Sequence, residues 1–162
     1  MAVEVADYRN FGARMAQLGC EIPSGFAVIP ANLETATARH DLKIRGEAVT
    51  VSKLLRSGGL PVSSFLPSGE RLKSIHDKSF HWEAAIFIAG SIITDNPSAI
   101  SVALSVLANY LTDFFRGSKG ANIRLSIVTK RTPTSVYKKL TYDGDATGLA
   151  SLSDMLSRLD DD

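Results

Sequence analysis

Apolar side chains near the start of the chain recur at steps of three and four, at Val5, Tyr8, Phe11, Met15 and Leu18. This spacing is that of one face of an amphipathic helix. It predicts a helix that ends near Gly19 and packs on the core.

The rest of the first half predicts two more helices and some strand. Asn32 is a residue type that caps helices, and it precedes a short candidate helix over Leu33 to His40. The stretch from Glu47 to Ser57 has an apolar side and ends at a pair of glycines, which suit the left-handed backbone that closes many helices. Leu72 to Trp82 alternates imperfectly, so we expect a strand or two there.

The stretch from Ala84 to Thr112 carries one formal charge, Asp95. Asn96 accepts hydrogen bonds from first-turn amides in many helices, and Pro97 suits a position whose N–H has no partner to lose. We therefore expect a helix from Pro97 to Arg116. The stretch from Ala84 to Ile93 is too short to span a bilayer, and it predicts either a buried helical hairpin with the following helix or a strand.

The helix predicted from Pro97 to Arg116 is apolar on more than one face. Its expected inner face consists of Ile100, Ala103, Leu104, Leu107, Leu111 and Phe114. Val102, Val106 and Phe115 lie off that face, so the helix is either central or covered by a partner.

The last third predicts a β-hairpin followed by a helix. Alternating residues from Ile123 to Thr129 and the stretch Val136 to Tyr142 have the period of half-buried strands, and the short turn between them requires an antiparallel pair. Asp145 caps the last helix, whose apolar stripe consists of Leu149, Leu152, Leu156 and Leu159.

Length and composition favour one folded domain over residues 1–162. The 162 residues are 44% hydrophobic and 22% charged, as in ordinary globular proteins. We expect an α+β fold with helices packed on a small antiparallel sheet that includes the C-terminal hairpin, followed by a C-terminal helix. Residues 1–83 form its N-terminal part, and residues 84–162 form a helix, hairpin and helix unit.

The single cysteine, Cys20, has no partner for an internal disulfide, and the N-terminus lacks the pattern of a secretion signal. Both observations predict a cytoplasmic protein. The net charge of +1 gives no overall field that attracts a charged partner.

The candidate metal ligands are His76, Asp77, His81 and Glu83, supplemented by His40 and Asp41. A spacing of five between two histidines fits neither one helix face nor one side of a strand. We therefore predict no metal and no cofactor. The alternative is a small metal-dependent hydrolase built on these residues. The chain also lacks the usual nucleophile, phosphate-loop and dinucleotide motifs.

Charge is segregated in the last third of the chain. The segment from Ala121 to Leu140 has no acidic residue, and its basic residues are Arg124, Lys130, Arg131, Lys138 and Lys139. Cations on exposed strands protect sheet edges from aggregation, which we favour over nucleic-acid binding.

Three segments resemble a known family, namely Val106-Leu-Ala-Asn-Tyr-Leu, Ile123-Arg-Leu-Ser-Ile-Val and Tyr142-Asp-Gly. Their order, between Ser98 and Leu159, is similar to that of the effector-associated constant component domains of bacterial conflict systems. The resemblance implies a non-enzymatic adaptor, a regulatory component of a defence system.

The preferred hypothesis is accordingly a protein-interaction module that binds a protein partner or a second copy of itself. Its expected surface comprises Val102, Val106, Phe115 and the basic residues of the hairpin. The chain would bind neither nucleic acid nor membranes, although reversible membrane association through the two apolar stretches is a further alternative.

Overall fold

The computed structural model describes residues 2–67, 69–75, 81–116, 122–130 and 136–158. Its elements, in chain order, are β1 (Ala2–Asp7), α1 (Phe11–Gln17), β2 (Phe26–Val28), β3 (Lys43–Arg45), α2 (Gly46–Ser57), β4 (Lys73–Ile75), β5 (His81–Ile88), α3 (Gly90–Asp95), α4 (Pro97–Phe114), β6 (Asn122–Thr129), β7 (Lys138–Gly144) and α5 (Leu152–Ser157). Short 3-10 helices occupy Arg39–Asp41 and Ala146–Ser151. The predicted α+β class is confirmed.

Five strands form the main sheet, in the order β1-β7-β6-β5-β2. The predicted antiparallel hairpin of β6 and β7 is confirmed. β5 and β6 are parallel, because α3 and α4 between them provide the long crossover that a parallel pair requires. The sheet is therefore mixed. β3 and β4 form a separate parallel pair.

Alternation along the strands gives the main sheet two apolar faces. Trp82, Ile86 and Leu125 belong to the core on one face, together with buried residues of α2, α4 and α5. Phe87 and Val128 belong to the core on the other face, together with α1, the loop before β3 and the connection between α2 and β4. The sheet thus lies between two layers.

The helix α4 lies on the first face, and its inner residues are fully buried, with Leu107 at 0% exposure. Pro97 occupies the first turn, as the sequence predicts. The Asn96 side chain differs from expectation, because it accepts a hydrogen bond from the Ser98 hydroxyl at 2.9 Å and caps no backbone amide.

The N-terminal segment corrects the prediction of one long helix. Residues Ala2 to Asp7 form an edge strand that pairs with β7 at six positions, and only Phe11 to Gln17 are helical. Spacings of three and four suited a helix, but pairing with the hairpin decides the conformation of this segment. Val5 is consequently 46% exposed on the sheet edge.

Candidate functional site

Two of the exposed apolar side chains of the described structure belong to α4, Val102 on its outer face and Phe114 at its C-terminal end. Val102 is 42% exposed, as predicted for a residue off the inner face. Val106 is half-buried, because it lies against the C-terminal end of α2. Its Cγ2 atom is 3.4 Å from the position that a Cβ atom on Gly58 would occupy.

The C-terminal end of α4 carries a cluster of aromatic rings. The ring centroids of Phe114 and Phe115 lie 4.9 Å apart, and those of Tyr110 and Phe114 lie 5.8 Å apart. Phe115 packs against the core, whereas Phe114 is 58% exposed. The sequence assigned Phe114 to the inner face. That assignment is wrong, and so is the placement of Phe115 off that face, since the helix ends at Phe114 and Phe115 makes the inward contact.

The basic residues of the hairpin do not share one surface. Arg124 is directly opposite Asp143 on β7, whereas Lys138 forms a 2.7 Å ion pair with Asp7. Lys139 Nζ lies 5.8 Å from the centroid of the Tyr8 ring.

The other two basic residues of the hairpin flank its turn. Lys130 Nζ lies 4.6 Å from the ring centroid of Tyr137. Arg131 lies outside the described residues. The described lysines therefore have local partners that are aromatic or acidic.

The candidate metal ligands are only partly described. Glu83 is exposed on β5, and His81 begins that strand, whereas His76 and Asp77 lie outside the described residues. His40 and Asp41 form an ion-pair contact of 3.4 Å on the 3-10 helix. Within the described ranges, no three His, Cys, Asp or Glu side chains are grouped so as to hold a metal ion.

A cleft of about 230 Å³, here the sheet cleft, opens beside β5. β2 ends at Val28, and the Ile29 amide donates the next hydrogen bond to the Ala85 carbonyl. Pro30 has no N–H with which to continue the pairing, so the chain leaves the sheet and exposes the edge of β5. Ala85 and Ser126, both small, form part of the lining.

The wall of the sheet cleft is the segment from Pro30 to Thr35. Asn32 donates a hydrogen bond to the Asp41 carbonyl at 2.9 Å and accepts one from the Lys43 amide at 2.7 Å. This loop replaces the helix predicted after Asn32. The Asn32 side chain holds two distant backbone groups instead of capping a first turn.

Charges of both signs line the sheet cleft, at Glu34, Arg45, Glu83 and Lys139. The Tyr8 hydroxyl donates a hydrogen bond to the Glu34 carboxylate. Desolvation by burial, together with this hydrogen bond, raises the pKa of Tyr8 well above its usual value of 10.0. Tyr8 is therefore a neutral hydrogen-bond donor at neutral pH.

A second and larger cleft, here the basic cleft, has a volume of about 520 Å³. It lies between α2 and the segments before and within β4. Its lining comprises the apolar side chains Val28, Ile44, Val49, Phe65, Leu66 and Leu72, the serines Ser52, Ser63, Ser64 and Ser74, and the charged residues Lys53, Arg56, Glu70 and Arg71.

Sequence reasoning named Glu83 and Lys139 but missed the other charged residues of the two clefts. No local pattern predicts that Tyr8 meets Glu34, because 26 positions separate them. A count of charge by segment would have indicated the basic cleft, since residues 39–73 contain seven Lys or Arg and three Asp or Glu.

No model of a known protein family matches the chain, and no curated protein or solved structure matches it. None of the described helices combines the length and hydropathy needed to cross a membrane.

Proposed function

We propose that the chain is a protein-interaction module that associates with a second copy of itself through the outer face of α4. The observation that carries this proposal is a helix of 18 residues whose solvent-exposed side has no charge from Pro97 to Thr112. The exposed residues of that side are Ser98, Ser101, Val102, Ser105, Asn109 and Thr112.

The composition of this face is unusual for a helix that meets only water. Solvated helix faces are commonly charged, and Lys, Glu and Arg are better helix formers than Ser, Asn and Thr. A neutral face lined by small side chains allows another helix to approach closely. The exposed methyl groups of Val102 add apolar contact area on this face, and the exposed ring of Phe114 adds more at the end of the helix.

A second copy fits this face better than a charged partner does. In a twofold dimer the same patch occurs on both subunits, so any charge near the axis would face a like charge. The neutral side of α4 avoids that repulsion. In an antiparallel arrangement around Ser105, Val102 of each copy would lie within one turn of the crossing point.

The resemblance to effector-associated constant component domains extends this proposal. On this resemblance we propose that the module is a regulatory component of a bacterial defence system, where self-association would bring effectors together. This assignment is supported by the segments quoted above, which comprise part of α4, β6 and the end of β7.

Light scattering coupled to size-exclusion chromatography over a range of protein concentrations tests the self-association. The wild-type chain should form a dimer, and Val102→Asp combined with Phe114→Asp should shift it to the monomer without loss of its circular dichroism spectrum. Ile22→Asp is the matched control, because Ile22 is 44% exposed but lies in a loop away from α4. A wild-type chain that is monomeric at all concentrations would overturn the proposal.

A further inference from the structure

The basic cleft brings three cationic side chains to one concave surface. Lys53 and Arg56 are three positions apart on α2, so they share a helix face, and Arg71 approaches from the segment before β4. All three are exposed. They enter no ion pair within the part of the chain that the structure describes.

The acidic residue of this cleft is already engaged. The Glu70 carboxylate lies 3.0 Å from Arg39 Nε, so its negative charge is offset by an arginine that is not part of the lining. The other two acidic residues between positions 39 and 73 also have partners, since Asp41 contacts His40 and Glu47 contacts Arg45. The three cations therefore leave the cleft with a local positive charge.

The remaining lining supplies hydroxyl groups above an apolar floor. Four serines line the cleft, and the Ser64 oxygen accepts a hydrogen bond from the Leu66 amide, which leaves its own hydrogen available for donation. Phe65 and Leu66 are buried at the floor. Arginine and hydroxyl donors suit phosphate oxygens, and the apolar floor suits a carbon-containing group.

We infer that the basic cleft binds the phosphate monoester of a soluble organic molecule of about nucleotide size. The volume of about 520 Å³ lies within the range typical of small-molecule sites. Arg56 and Arg71 bind the phosphate oxygens, Lys53 adds charge, and the serine hydroxyls donate hydrogen bonds. The organic group covers the apolar floor, which includes Ile44 and Leu72 beside Phe65 and Leu66.

Calorimetric titration of the full chain with four probes tests this inference. Adenosine monophosphate and phenyl phosphate should bind, inorganic phosphate should bind more weakly because it does not cover the floor, and adenosine should not bind. The affinity should fall as salt is added. Absence of binding by both phosphate esters would overturn the inference, and so would equal binding of adenosine and adenosine monophosphate.

Charge-removing variants separate a site from a diffuse positive surface. Arg56→Gln and Arg71→Gln should each weaken phenyl phosphate binding about tenfold or more. Lys43→Gln and Lys73→Gln are the matched controls, because these exposed lysines lie on the opposite side of the β3–β4 pair from Ile44 and Ser74. Equal losses in the controls would overturn the inference.

Co-sedimentation with vesicles distinguishes a soluble ligand from a lipid headgroup. Vesicles of phosphatidylcholine with added phosphatidic acid present the same phosphate monoester on a surface. We expect the soluble esters to release or absorb heat of binding in the calorimetric titration, and we expect the protein not to sediment with these vesicles. Sedimentation without binding of the soluble esters would assign the cleft to a lipid and overturn the inference.

Discussion

Lys43 and Lys73 lie directly opposite each other in the parallel pair of β3 and β4, and both are exposed. Like charges at directly opposed strand positions destabilise the pair. The smaller sheet therefore retains an unfavourable contact beside the basic cleft, in a chain whose net charge is only +1.

Replacing one of these lysines by an acid should stabilise the fold. We expect Lys73→Glu to raise the free energy of unfolding by about 0.2–1 kcal/mol, because repulsion between β3 and β4 becomes attraction. Urea denaturation at low salt measures the change. The gain should shrink at high salt, since both side chains are exposed. A gain that is independent of salt would contradict the electrostatic explanation.

The inner face of α4 supplies a test of packing. Leu107 is fully buried against the main sheet, so Leu107→Ala should lower the free energy of unfolding by about 2–5 kcal/mol. Ser105→Ala on the exposed side of the same helix is the control, and its effect should stay within about 0.5 kcal/mol at protein concentrations low enough to keep the chain monomeric. Similar losses for both variants, measured in urea, would show that the outer face is packed as well.

The sequence predicted the second half of the fold more completely than the first. Periodicity alone identified α4 and the hairpin, because both have strong apolar patterns and their partners are adjacent along the chain. The N-terminal segment was mistaken for one helix, since the partner of Ala2 to Asp7 is β7, at the far end of the chain. Local spacing contains no information about that pairing.

The clefts were harder to predict than the fold for the same physical reason. The lining of the sheet cleft combines Tyr8, Glu34 and Lys139, which only the strand order brings together. The basic cleft combines one face of α2 with the connection between α2 and β4 and with residues of three strands. Val102 lies off the inner face of α4, as the sequence predicted, because a helix face is a local property.

The Asn32 side chain offers a test of the wall of the sheet cleft. Asn32→Ala removes its hydrogen bonds to the Asp41 carbonyl and the Lys43 amide, and should lower the free energy of unfolding by about 1–3 kcal/mol. Hydrogen exchange at the Lys43 amide should accelerate more than exchange in α4. Unchanged exchange at Lys43 would show that the loop is held without this side chain.

The carboxylate of Asp145 makes stability depend on pH. It accepts hydrogen bonds from the Thr147 hydroxyl at 2.8 Å and the Gly148 amide at 3.2 Å, at the start of the 3-10 helix Ala146–Ser151. The hydrogen bond from Thr147, followed by that from Gly148, lowers the pKa of Asp145 below its usual value of 3.8. Because the pKa is lower in the folded state than in the unfolded state, the ionised carboxylate stabilises the fold at pH values above its pKa in the unfolded state. This contribution is lost as the pH falls through its pKa in the folded state.

Comparing wild type with Asp145→Ala across pH tests this linkage. Near neutral pH the wild-type chain should be more stable than Asp145→Ala. The difference in their free energies of unfolding should shrink once the pH falls below 3.8, the usual pKa of an aspartate. Thr147→Ala removes the largest cause of the shift, so the carboxyl of that variant should titrate at a higher pH, as measured by NMR of the side-chain carbon. Urea denaturation at each pH gives the stability difference. A difference between wild type and Asp145→Ala that stays constant from neutral to strongly acidic pH would mean that the side chain acts through packing and not through its charge.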